Sequence, residues 1–105
     1  MVSTFDLDDP KLLELARSRI EAMQPFQINV PSDRVVQLRR STHYWRIAEE
    51  STGLHRTLAW IRTYAAAFGL RQYWMVFVLA QSKRFDCLVT ERDGMQWVQF
   101  SPQHE

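Results

Sequence analysis

The sequence predicts an α+β fold with an N-terminal helix, a strand-helix-helix centre and a C-terminal three-stranded antiparallel meander. Three observations point there. Leu54, Leu58, Ile61, Ala65 and Phe68 recur at i, i+4, i+7, i+11 and i+14, a helical stripe closed by Gly69. Beyond Tyr73 the pattern turns aromatic, β-branched and alternating. Asp93-Gly94 then supplies a strong two-residue hairpin signal between alternating segments.

In chain order, Asp9-Pro10 sets a cap and a first-turn proline. Leu12, Ala16, Ile20 and Met23 follow on one face, which predicts a helix over 10–23 ending before Pro25. Phe26, Ile28 and Val30 alternate with Gln27 and Asn29, a short strand or an extended connector closed by Pro31. Over 32–40 a Ser32-capped helix competes with a strand. The β-branched pair Val35-Val36 and the cap-like Ser41-Thr42 favour a strand over 34–39. Helices over 42–51 and 54–68 follow, joined at Thr52-Gly53. The meander occupies 72–100, its first strand Tyr73 to Ala80 apolar on both faces and its tail from Ser101 polar and loose.

A chain of 105 residues, 46% hydrophobic and 24% charged with three glycines, suits a single folded domain spanning 1–105. Its acidic start and short apolar runs give neither an export signal nor a membrane span, and Cys87 has no second cysteine to pair with. A cytoplasmic location is expected. Alternation places Cys87 with Phe85 and Val89 toward the core.

Net charge is only +1, but seven arginines lie between Arg34 and Arg71 against Glu49 and Glu50, a local +5. None is lysine, and the planar guanidinium fork suits phosphate and guanine edges. A solvated surface with i,i+4 pairs explains the same clustering equally well. In a helix-turn-helix reading the second helix presents His55, Arg56, Ala59 and Arg62, although its apolar stripe is displaced by one residue from the usual spacing. Tyr44, Trp45, Trp60 and Tyr64 sit near the arginines as stacking platforms for bases, or, as the commoner use of such residues, as core.

The order strand, helix, glycine turn, helix over 34–65 also resembles the ribbon-helix-helix DNA-binding proteins of the Arc and MetJ kind. The resemblance implies that Arg34-Val-Val-Gln-Leu-Arg39 is a ribbon whose Gln37 and Arg39 read base edges, with Thr57 at a phosphate. His55 in place of a usual serine, Arg40 in place of a cap and one added residue before Trp60 depart from the family's pattern. Both readings lead to a small, homodimeric DNA-binding transcriptional regulator contacting DNA through Gln37, Arg39, Arg40, Arg46, Arg56, Thr57 and Arg62. Either Gln37 and Arg39 share a strand face, or Arg56 and Arg62 share an exposed helix face. The rival is a protein-interaction module that docks through the meander and aromatic helix faces. His43, His55, His104 and Cys87 show no metal spacing, and no glycine-rich phosphate loop or nucleophile motif is present. No enzymatic role, cofactor or metal is expected.

Overall fold

Thr4 and Phe5 have the side chains of a strand, and Ser3–Asp6 forms one, β1, unforeseen among its acidic neighbours. The computed structural model describes residues 2–66 and 69–103. Asp9 and Pro10 form a turn ahead of the first helix rather than its cap and first residue: Asp9 Oδ1 accepts the Lys11 N–H at 2.8 Å, and Lys11 takes the N-cap place with no side-chain cap bond. Helix α1 (Leu12–Glu21) buries Leu12, Ala16 and Ile20. Met23 does not extend that face: it is exposed at φ 54°, where the chain has already left the helix. Strand β2 (Phe26–Val30) buries every second residue and pairs in parallel with β1, so α1 is the crossover of a βαβ unit.

After an excursion over 33–71 the chain returns as α4 (Arg71–Ser82), β3 (Phe85–Arg92) and β4 (Met95–Pro102). The sheet therefore has four strands, in the order β1-β2-β4-β3, rather than a three-stranded meander. Tyr73–Ala80, expected as its first strand, is helical. Tyr73, Trp74, Val76 and Ala80 are buried while Met75 and Val78 are exposed, a helical pattern that an apolar run of eight could not reveal by itself. Gln72 fixes where α4 begins, accepting the Leu13 N–H at 3.0 Å and donating to the Asp9 carbonyl at 3.1 Å.

The hairpin is the one foreseen. Asp93 and Gly94 take φ of 54° and 74°, both central residues left-handed as a tight hairpin turn needs. Strand β4 runs on through Pro102, and Gln103 donates its backbone N–H to the Arg84 carbonyl, so the tail is tied down as far as Gln103. On the covered face of the sheet Phe26 stacks on its cross-strand neighbour Phe100 at 4.9 Å, and Phe77 of α4 meets Phe100 edge-on at 6.5 Å. The other face carries a polar rung, Thr4, Gln27 and Gln99, joined by side-chain hydrogen bonds.

The chain divides into two compact units, one of residues 1–32 with 72–105, the other Asp33–Arg71. The elements of the second are all helices among the described residues. A 3-10 turn (Ser32–Arg34) leads into α2 (Val35–Glu50), so the strand expected over 34–39 is the first turns of a helix. Ser41 and Thr42 are not caps. Their hydroxyls donate back to the Leu38 carbonyl at 3.1 and 2.8 Å, which satisfies them in mid-helix. Helix α3 (Gly53–Ala66) begins one residue before the expected 54–68 helix, and residues 67 and 68 fall outside the described residues. Trp45 meets Trp60 edge-on at 4.7 Å and Tyr44 lies near Arg62, an earlier residue of α2 against a later one of α3, so α2 and α3 form an antiparallel hairpin.

Candidate functional site

Division into units sharpens the charge asymmetry. Residues 33–71 carry seven arginines against Asp33, Glu49 and Glu50, a balance of +4, and the other unit has six basic and nine acidic residues, a balance of −3. The basic segment seen in the sequence coincides with one compact helical unit.

Its arginines do not share one face. Gln37 and Arg39, two residues apart on a helix, point about 160° from each other. Gln37 is half-buried and accepts a hydrogen bond from Arg34 at 2.8 Å, so it is committed within its own unit. Arg56 and Arg62 are both exposed but lie about 120° apart around α3. Arg62 stands 6.0 Å from the Tyr44 ring, and Thr57 Oγ1 reaches the Gly53 carbonyl only at 3.4 Å. Neither pairing expected from the sequence forms a common reading face.

A different basic stripe does form. Arg39, His43 and Arg46 stand at i, i+4 and i+7 on α2 and are all exposed, within about 60° of one another around the helix. Arg40 is exposed too, but lies about 100° from Arg39. The inward side of α2 explains this arrangement: Leu38, Ser41, Trp45 and Ala48 are buried, which turns the arginines outward. Trp45 donates its indole N–H to Glu49 at 2.7 Å and packs on Trp60, so those two indoles belong to the hairpin's packing. The Tyr64 side chain lies outside the described residues.

Helix α3 holds the larger surprise. It turns Ala59 and Thr63, small side chains four residues apart, to the buried side, and the Thr63 hydroxyl is satisfied by the Ala59 carbonyl at 2.8 Å. The apolar stripe points the opposite way. Leu54 is 72%, Leu58 43% and Ile61 58% exposed, while the Ala65 side chain and Phe68 lie outside what is described. Close approach of the two helices selects the smaller side chains for the buried side. Around the stripe α3 carries His55, Arg56 and Arg62 and no acidic residue.

Among the described residues no cluster of three histidine, cysteine, aspartate or glutamate side chains could hold a metal ion, and no helix is long and apolar enough to cross a membrane. Cys87 does not follow Phe85 into the core. It keeps a large exposed area because β3 is an edge strand, yet partial burial still pushes its thiol up to about 11. Comparison with protein-family models, with curated protein sequences and with solved structures found no match.

Proposed function

We propose that the helical unit is a protein-docking module whose α3 inserts Leu54, Leu58 and Ile61 into an apolar groove edged with carboxylates on a partner protein. The observation that carries it is the exposure of these three side chains at i, i+4 and i+7, the anchor spacing of helix-in-groove recognition. Burying them on a partner removes apolar surface from water, and the all-basic surroundings favour an acidic rim.

The test uses a designed amphipathic peptide of three heptads, leucine at a and d and glutamate at e and g, beside the same peptide with lysine for glutamate. Fluorescence anisotropy should show binding of the glutamate peptide alone. Leu58→Asp should weaken it by roughly tenfold or more, as loss of a central anchor does, without changing the circular dichroism. Equal binding of both peptides, or none, overturns the reading.

The Arg39, His43, Arg46 stripe favours a second reading, a small DNA-binding protein serving transcriptional regulation, with α2 laid against duplex phosphates and Arg40, Arg56 and Arg62 as further contacts. Its measure is salt dependence. Replacing Arg39 and Arg46 by alanine should lower the slope of log affinity against log salt by about 2. An unchanged slope in the double variant removes α2 from the contact.

A further inference from the structure

We propose that a second copy of this chain pairs with the free edge of β3, antiparallel and in one definite register with the two-fold axis at Val89, to give a continuous eight-stranded sheet. The two sheet edges differ. On one side β1 has four residues; on the other β3 has eight, and its outer edge carries no ladder among the described residues. Such an edge is a template for another strand, and β3 is free of proline, glycine and lysine, its charges being Asp86, Glu91 and Arg92. It also exposes an aliphatic side chain on each face, Leu88 at 60% and Val89 at 51%.

Chemistry selects the register. An antiparallel ladder between identical strands must pair residues of like parity, so that outward amides meet outward amides and the two-fold axis falls on a residue. Centring on Val89 sets Asp86 against Arg92 of the second copy, twice by symmetry, with Leu88 against Thr90 on the same face. Val89 meets its own copy on the other face. Centring on Leu88 instead sets Asp86 against Thr90 and leaves Arg92 opposite residue 84, which lies outside the strand, so no opposite-charge pair forms, and centring further out shortens the ladder. Arg92 and Asp86 project from the same face of β3, where Arg92 lies over the Trp97 ring at 5.9 Å and Asp86 accepts a hydrogen bond from Gln103 at 2.8 Å.

The experiment uses the full chain. Light scattering over a dilution series should give the dimer mass. In a Cys87→Ser background, Val89→Cys should oxidise to a covalent dimer, since directly opposed Cα atoms are spaced for a disulfide. Leu88→Cys should not, because in this register the two copies of Leu88 lie beyond disulfide reach. Arg92→Asp should weaken the dimer roughly tenfold or more, and the swap Asp86→Arg with Arg92→Asp should restore it. Circular dichroism confirms that each variant is folded. A monomer at every concentration overturns the proposal. So does cross-linking through Leu88→Cys in preference to Val89→Cys, or a dimer abolished by Leu58→Asp and indifferent to Arg92→Asp. Because Leu58 belongs to the docking module and Val89 to β3, failure of one reading leaves the other distinguishable.

Discussion

At Gly69 the backbone is left-handed, with φ 80°, and an added β-carbon would stand 3.0 Å from the Arg34 guanidinium. Gly53, with φ 61°, has nothing within 4 Å of the same position. Comparing the two separates backbone strain from contact. Gly53→Ala should cost about 1 kcal/mol, the price of φ > 0 alone. Gly69→Ala should cost more, about 2 kcal/mol, because the guanidinium that donates to Gln37 must also shift. Urea unfolding of the two variants checks this, and equal losses would mean the Arg34 contact is immaterial. Gly53 opens α3 rather than closing the helix before it, and the contact of Gly69 with a residue 35 positions earlier was not legible, since nothing local encodes it. Ser41 and Thr42 mislead for a related reason. A hydroxyl that can cap a new helix can equally donate back to a carbonyl within one, and only the surrounding packing chooses.

Among the elements, those with strong punctuation were legible and those resting on apolar composition were not. Asp93-Gly94 located the hairpin, and Asp9-Pro10 located α1, because turn and cap chemistry act within a few residues. The run Tyr73–Ala80 carries no such mark, and β-branched and aromatic residues lie in a helix there because one side of it is buried. Val76 and Val78 report the difference directly. Two residues apart, they would share a face of a strand, but on α4 Val76 is fully buried and Val78 is half exposed. Val76→Thr should cost roughly 1–3 kcal/mol for burying a hydroxyl, and Val78→Thr should change stability by less than about 0.5 kcal/mol. Similar losses at both positions would refute the helix. The candidate site follows the same division. Arginine clustering was legible as charge, but the outward stripe of Arg39, His43 and Arg46 depends on 35–50 being a helix, and the exposed face of α3 depends on Ala59 and Thr63 facing inward.

For the whole molecule, the two units differ in how they meet alkali. In residues 33–71 every basic side chain other than histidine is an arginine, which keeps its charge throughout the accessible range. The other unit holds two weak acids whose protons are retained by folding. Burial raises the Tyr73 phenol well above its ordinary 10, with Cys87 adding to the shift, and burial pushes the Cys87 thiol from 9 up to about 11. The sign follows from linkage. A folded-state value above the unfolded one means that the unfolded chain sheds its proton first, so alkali favours unfolding. The contribution of Cys87 is fully present below about pH 9 and is lost as pH rises through about 11. That of Tyr73 begins to fall only above about pH 10. The urea midpoint should therefore decline progressively above about pH 9. Cys87→Ser should remove the earlier part of the decline and Tyr73→Phe the later part, the second being larger because Tyr73 is almost wholly buried whereas water screens Cys87. A midpoint that stays level between about pH 8 and 11, or that rises, would show that neither group loses its water on folding.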